Sequence, residues 1–273
     1  MNDADCVGFL QWALPQLHMR WPGFRRVRKQ VCKRIQRRLD ELGCADVGRY
    51  RGMLQSHPEE WPVLDALCRV TVTRFHRDKQ VFARLLSEVL PELAQAARAR
   101  RADRLRVWCA GCASGEEPYT LSIAWRLELA ARFADVSLDV LATDADAGLL
   151  ARAAQAGYGW SAVRNLPPSW REAAFDRQDE RYCLKQEFKP AVRFLRQDVR
   201  SESPPGAFDL VFCRNLAFTY FDQAVQVRVA ETIHERLLPG GVLVLGVRET
   251  LPAGTPPFDA LSERLALYRK PAD

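Results

Sequence analysis

Apolar positions between Phe24 and Leu42 fall at 24, 27, 31, 35, 39 and 42. Steps of three and four place them on one face of a helix. Arginines and lysines fill the remaining faces, and Gly43 supplies the stop. The segment "SHPEEWPVLDAL" (56–67) reads as the start of another helix, with Ser56 as N-cap and Glu59 completing a capping box. Residues 1–95 show only this helical texture and are expected to form an all-helical domain. "QAARARRAD" (95–103) is polar and basic, a helix end or an interdomain link.

Beyond it the pattern changes. "LRVWCAG" (105–111) is a buried-strand run, and "EEPYTLSIAWRLEL" (116–129) is an amphipathic helix with Pro118 in its first turn. "VSLDVLATD" (136–144) predicts a second strand, and "ADAGLLARAAQAG" a helix closing at Gly157. "VRFLRQDV" (192–199) and "FDLVFCRN" (208–215) predict a third and a fourth strand. A helix is expected over 221–241, then strands at "GVLVLGV" (241–247) and "ALYRK" (266–270). Strands alternating with helices predict an α/β fold: a mostly parallel sheet covered on both faces.

The composition fits this picture. The chain has 273 residues, 48% hydrophobic and 27% charged, enough apolar material for a core. No apolar run approaches the ~20 residues that span a bilayer. "MNDADCVGFLQWALPQ" lacks the basic start of a signal peptide, so a cytoplasmic location without membrane insertion is expected. Eight cysteines (6, 32, 44, 68, 109, 112, 183, 213) read as small core residues. Cys109-x-x-Cys112 has no further pair at comparable spacing, so packing is expected there and no metal. The net charge of +6 is uneven: nine basic residues and no acidic ones lie between Arg20 and Arg38. Such a field calls for an acidic partner: a carboxylate-rich protein, a nucleic acid or an anionic membrane.

In a doubly wound sheet, ligands bind beyond the carboxyl ends of the strands. Those ends carry Ala110, Gly111 and Glu116, then Asp144, then Asp198, then Arg214 and Asn215. Asp144 follows the first glycine turn by about 30 residues and suits ribose hydroxyls. Yet "GCASG" is not a dinucleotide fingerprint, and Glu116 and Glu117 occupy the helix start where a pyrophosphate would sit. Two carboxylates there would repel it. A cofactor with a ribose, an adenine-like ring and a positive charge but no phosphate fits, and S-adenosyl-L-methionine has that inventory.

The segment "RVWCAGCASGEEPYTLSIAW" resembles the A-G-C-S/A-x-G-E-E-P-Y-S/T signature of the chemotaxis-receptor methyltransferases, the CheR family. "ATDADAGLLARAAQAGYG", "FDLVFCRNLAFTYFD", "TVTRFHRDKQVF" and "RKQVCKRIQRRLDELG" are similar to further family elements, in the same order over nearly the whole chain. The resemblance implies a Rossmann-like class I methyltransferase sheet, an N-terminal all-helical domain (1–95) and a small β-subdomain inserted at about 176–191 of a catalytic domain spanning 96–273. It implies that Glu116 accepts hydrogen bonds from the methionine amino group and Asp144 from the ribose. Ala110 and Gly111 line the cofactor, Asp198 and Val199 border the adenine, and Asn215, with Arg214, faces the methionine moiety. Thr73 and Arg77 close over the cofactor, whose product is S-adenosyl-L-homocysteine. His76, Arg77, Arg214 and Tyr220 are the candidate catalytic residues. Arg26, Lys29, Lys33 and Arg37 become candidate substrate-binding residues facing an acidic receptor surface. Glu117, Arg126 and Glu128 read as helix-surface charges, Asp146 as a helix N-cap and Tyr119 as packing.

Three departures stand out. Tyr220 follows Asn215 by five positions where the family spacing is four. His76 replaces a phenylalanine, and Thr71 stands where asparagine is common. The insertion holds no glycine, whereas members that dock a receptor's tethering peptide carry a glycine-containing loop there, so tethering is not expected. The expected reaction is methylation of carboxylates by a monomer, with chemoreceptor glutamates as the default acceptor. Alternatives are a small-molecule or N-, O- or S-acceptor, for which His76 would take a proton, and a non-catalytic module regulated by the cofactor. A nucleic-acid methyltransferase is the weakest reading, since base-modifying enzymes typically present aromatic stacking residues in the catalytic motif.

Overall fold

The computed structural model describes residues 2–272, and the chain divides into two compact units. One runs to Val72 and takes in Leu216–Gln226; the other begins at Thr73, runs to Asn215 and resumes at Val227. The division therefore falls at 72/73 instead of the expected 95. The reason is packing: Phe82, Leu85, Leu93 and Ala97 are buried in the same apolar core as Leu105 and Val107 of the sheet.

The first unit is helical: α1 Asp3–Gln16, α2 Trp21–Phe24, α3 Arg28–Glu41, α4 Val47–Ser56 and α5 Trp61–Cys68. Asn2 and Asp5 form a capping box on α1. The helix expected from Phe24 starts only at Arg28, because residues 25–27 turn between α2 and α3. Its apolar stripe is confirmed, with Val31, Ile35 and Leu39 buried and Gly43 at φ +63° after its end. Ser56 is not an N-cap. It closes α4, its hydroxyl donating back to Gly52 O (3.1 Å) and Met53 O (3.2 Å). Pro58 then holds His57 out of the helical region, and α5 begins at Trp61. The helical turn Ala217–Tyr220 joins this unit. Arg20 Nε donates to Thr219 O (3.1 Å), and the rings of Phe24 and Tyr220 meet edge-on at 5.2 Å. A Cβ on Gly23 would lie 2.3 Å from Thr219 O, so only glycine fits that approach.

The cysteine expectation needs one correction. Cys6 of α1 and Cys32 of α3 form a disulfide, while the other six are free and four of those are buried. Among the described residues no cluster of His, Cys, Asp or Glu is placed to hold a metal, and no helix is long and apolar enough to cross a membrane.

The second unit holds α6 Lys79–Arg84 and α7 Leu90–Ala99, then β1 Arg104–Ala110, α8 Glu116–Ala124, β2 Ser137–Asp144 and α9 Ala147–Gln155. There follow β3 Gly157–Gly159, β4 Phe175–Gln178, β5 Arg181–Leu184, β6 Val192–Arg196, β7 Phe208–Cys213, β8 Leu237–Leu245, β9 Asp259–Ser262 and β10 Leu267–Arg269. The main sheet has seven strands in the order β6-β2-β1-β7-β8-β10-β9. Its first five are parallel, and β10 and β9 are antiparallel additions. The chain winds outward from β1 through β2 to β6, then crosses to β7 on the other side. The switch in direction thus lies between β1 and β7, where such sheets bind ligands.

Several boundaries differ from the pattern. The helix expected over 221–241 ends at Arg236, because Leu237 already pairs with Phe208 and "LLPGG" belongs to β8. Lys270 Nζ donates to the His234 and Leu237 carbonyls at that junction (2.9 and 3.0 Å). α9 closes at Ala156, which takes the left-handed φ of +53°, and Gly157 instead opens β3. The small sheet, β3-β5-β4, reaches outside 176–191 by recruiting Gly157–Gly159. Tyr158 and Phe175 anchor it, packing edge-on against buried Phe75 at 4.8 and 5.2 Å. Its β4–β5 turn uses Asp179 at φ +54° where glycine would be easier.

Candidate active site

The site lies in the second unit, at the carboxyl ends of β1, β2, β6 and β7. After Ala110 the chain must fold back sharply to start α8, and Gly111, Ala113 and Gly115 adopt φ of +75°, +48° and +90°. Gly115 has a second constraint: a Cβ there would meet Ala153 Cβ at 3.0 Å and the Phe194 ring at 3.3 Å. The turn is tied to the end of β2. The amides of Gly111 and Cys112 donate to Thr143 O (2.8 and 2.9 Å), and the Ala113 amide donates to Asp144 Oδ2 (2.8 Å). Beneath it, Trp108 Nε1 donates to Thr143 Oγ1 (2.9 Å) in a buried bond between β1 and β2.

Asp144 Oδ1 also accepts from the Asp146 amide (2.9 Å). Asp146 in turn caps α9, accepting from Gly148 N and Leu149 N, as expected of an N-cap. Two amides thus hold the Asp144 carboxylate from the protein side. A carboxylate is an acceptor-only group, the type that ribose hydroxyls need.

Glu116, the first residue of α8, is 4% exposed. Ser114 Oγ donates to both its oxygens at 3.0 Å. Burial pushes its carboxyl above the ordinary glutamate range, and hydrogen bonds from its own amide, Ser114 and Thr73 pull it back only in part. Two more acceptors, Gln197 Oε1 and Asn215 Oδ1, are buried without a hydrogen-bond partner. An acceptor-rich rim of this kind suits a ligand rich in N–H and O–H donors and lacking phosphate. S-adenosylmethionine, with its ammonium, adenine amino group and ribose hydroxyls, fits it.

The raised Glu116 carboxyl has a consequence for stability. A carboxyl bound more tightly to its proton in the folded state favours folding when protonated. That share is complete below about 4.5, the ordinary value, and is lost as the pH climbs through the folded value. Glu116→Gln should therefore match the parent protein near pH 4 and become relatively more stable as the pH rises to 7. Melting temperatures of both proteins across that range check this, and a difference that does not change with pH would refute it.

Behind the rim lies an ionic cluster. Arg214, its side chain 3% exposed, donates to Glu117 Oε2 (2.8 Å), Asp78 Oδ2 (2.5 Å) and Arg77 O (3.2 Å). Glu117 is thus not the expected surface charge. Successive helix residues point about 100° apart, so Glu116 turns to Ser114 and Thr73 while Glu117 turns to the end of β7. Burial pushes the Glu117 carboxyl up, opposed by the attraction of Arg214. Arg214 is accordingly committed to two carboxylates of its own chain. Arg77 is a half-buried guanidinium whose burial, with Arg214 nearby, holds it below its ordinary range.

Arg77 stands in a segment with two left-handed residues, His76 (φ +52°) and Asp78 (φ +61°). Such strained positions cluster at functional sites. The His76 ring lies 5.4 Å from both Phe82 and Trp170, with Nδ1 3.3 Å from Asn165 O. Burial pushes its pKa down. The imidazole is thus packed between two aromatic side chains, with Nδ1 facing a backbone carbonyl.

The Asp198 carboxylate is turned to Arg200, accepting from its amide (3.0 Å), Nε (3.0 Å) and Nη2 (2.6 Å), with Val199 buried beside it. Two residues escaped the sequence reading. Glu249 Oε2 accepts from the amides of Asn215 and Gly246 (both 2.7 Å) and so fixes the turn after β7. A Cβ at Gly246 would meet Asn215 Nδ2 at 2.4 Å and Glu249 Oε2 at 2.8 Å, so a larger residue would displace both side chains. Tyr119 packs as expected, edge-on to Phe194 at 5.6 Å with its hydroxyl donating to Ala153 O. Arg126 and Glu128 are exposed, as expected, although Glu128 accepts from Trp170 Nε1 (2.7 Å). Tyr220 belongs to the first unit, as do Arg26, Lys29, Lys33 and Arg37, all four exposed.

Comparison with known proteins agrees with this chemistry. The profile of the CheR methyltransferase SAM-binding domain matches residues 71–266. Chemotaxis protein methyltransferase 2 of Vibrio cholerae is 34% identical over 201 residues, covering 72% of this chain and 68% of the relative. The chemotaxis protein methyltransferase of Escherichia coli K12 is 34% identical over 230 residues, covering 81% and 76%. A probable chemotaxis protein methyltransferase of Rhizobium etli is 30% identical over 226 residues, covering 80% and 83%. With a rim built for a phosphate-free, cationic nucleoside and a family match over most of its length, the chain belongs to the CheR methyltransferases, enzymes that use S-adenosylmethionine.

Proposed function

We propose that this enzyme methylates carboxylates on an acidic protein partner, with glutamate side chains of chemoreceptors as the default acceptor. The observation that carries the reading is the strained segment His76–Asp78, which holds a half-buried Arg77 next to Arg214 at the end of β7. A carboxylate acceptor is already ionised at neutral pH and needs no base, only a cation to orient and desolvate it.

When bound, S-adenosylmethionine supplies an electrophilic methyl group on its sulfonium. In this reading Glu116 and Thr73 receive the cofactor's ammonium, Asp144 the ribose hydroxyls, and Asn215 the methionine end. Gln197, Asp198 and Val199 border the adenine. Arg214 positions Arg77 by holding its carbonyl and the flanking Asp78. The exposed Arg26, Lys29, Lys33 and Arg37 steer the acidic partner, whose contribution should weaken as salt screens it. Three named relatives are chemotaxis methyltransferases, which supports receptors as the partner class. The glycine-free β4–β5 turn leaves peptide tethering outside the proposal.

The test uses methyl-labelled cofactor with the purified enzyme and an extract of its host, or a purified receptor signalling domain. A glutamyl ester should release its label as methanol in mild base. Label that stays on the acceptor at high pH would overturn the carboxylate reading, and cofactor binding without any transfer would favour a regulatory module.

A further inference from the structure

We propose that the Cys6–Cys32 disulfide is a thiol-exchange site, at which a low-molecular-weight thiol bearing carboxylates attacks Cys32 and displaces Cys6. The observations all lie in the first unit. Cys6 is 1% exposed within the helical core, so its sulfur is shielded. Cys32 is half-buried on α3, at a shallow surface depression bordered by Lys33, Gln36, Arg37 and Asp40 of the same helix. Exchange proceeds by in-line attack of a thiolate on one sulfur with the other as leaving group. Access therefore selects Cys32 as the attacked atom and Cys6 as the one that departs.

The depression also selects the reagent. Lys33 and Arg37 are exposed cations, Lys29 lies one turn away on the same helix, and the one carboxylate bordering the depression, Asp40, accepts from Gln36 Nε2 (2.8 Å). The basic surroundings attract a thiolate and a carboxylate tail together, and they repel a cationic thiol. Reduction need not unfold the unit. α1 and α3 are also joined by Arg28 and Asp3, paired through both guanidinium Nε and Nη2 at 3.0 Å, and by the buried stripe of α3.

The step balances as follows. The incoming thiolate bonds to Cys32 Sγ, the Sγ–Sγ bond breaks, and Cys6 leaves as a thiolate that takes a proton from water. A second thiolate then attacks the added sulfur, releasing Cys32 and forming the small-molecule disulfide. Two electrons pass from two thiols to the protein disulfide. The intermediate adduct sets a carboxylate group among Lys29, Lys33 and Arg37. If those residues receive the acidic partner, a clause resting on the proposed function, the adduct would compete with it.

The experiment uses the full chain carrying Cys44→Ser and Cys183→Ser, purified without reductant, because those two free thiols are also half-buried. Reduced glutathione and cysteamine, a cationic thiol, are compared at equal thiolate concentration, with acid quenching and peptide mass mapping. The expected result is a glutathione adduct on Cys32, formed at about ten times the cysteamine rate in low salt and at a similar rate at about 1 M salt. The preference should also vanish in a Lys33→Ala, Arg37→Ala protein, and the salt series gives an independent reading should that variant fold poorly. An adduct on Cys6, equal rates at low salt, or two free thiols in air-oxidised protein would overturn the proposal. None of these readouts involves methyl transfer, so failure here and failure of the carboxylate reading are separate results.

Discussion

Replacing Arg214 by methionine should destabilise the protein by about 3–5 kcal/mol, the range for breaking a buried ion pair from one side. The side chain is 3% exposed and satisfies Glu117 and Asp78 at once, at 2.8 and 2.5 Å. Removing it leaves two partly buried carboxylates without their shared counter-ion. The cost should fall on the site as well as on the fold, because Arg214 also holds the carbonyl of Arg77. Adding Glu117→Gln and Asp78→Asn to the variant removes the stranded charges and should restore more than half of the loss. Urea unfolding of the single and triple variants measures both effects. A single variant within about 1 kcal/mol of the parent would show that water enters the cluster and that the ions are not effectively buried.

Asp144→Ala should weaken S-adenosylhomocysteine binding by about 100-fold or more, since hydrogen bonds to a charged group contribute roughly 1.5–3 kcal/mol each. The carboxylate is held by the amides of Ala113 and Asp146, so it is preorganised for hydroxyl donors and gives up little freedom on binding. Asp144→Asn should fall between the two. It keeps one acceptor oxygen but turns an NH2 toward one of those amides. Calorimetric titration of the three proteins gives the order directly. Affinities within threefold of one another would remove Asp144 from the ribose site.

Much of the second unit was legible because its strands are buried on both faces. "LRVWCAG" and "FDLVFC" are mostly apolar runs of strand length, the first closed by a glycine turn. The rim carboxylate and amide positions followed from the ends of those runs. What escaped was anything decided by a distant partner. Glu116 and Glu117 look alike in the chain, and only Arg214, 97 residues on, draws the second into a partly buried ion pair. Glu249 looks like a surface residue until the amides of Asn215 and Gly246 arrive. His76 stood beside a predicted catalytic arginine, yet its surroundings come from Trp170 and Asn165. The small sheet was placed but its extent was not, because its third strand, Gly157–Gly159, comes from before the insertion. "LLPGG" continued the apolar period of the preceding helix, so the change to β8 had no local marker. Among eight cysteines, spacing said nothing of the Cys6–Cys32 pairing.

The distribution of the free thiols makes the protein easy to label at chosen points. Burial pushes the Cys68 thiol up to about 12 and the Cys109 and Cys112 thiols well above their usual range, so maleimides at neutral pH should pass them by. Cys44 and Cys183 are the half-exposed ones, the first in the helical unit and the second in the small sheet of the other. With the disulfide intact, a donor and an acceptor dye placed on this native pair would follow the separation of the two units by energy transfer. Movement on cofactor binding could then be read without introducing a single new cysteine.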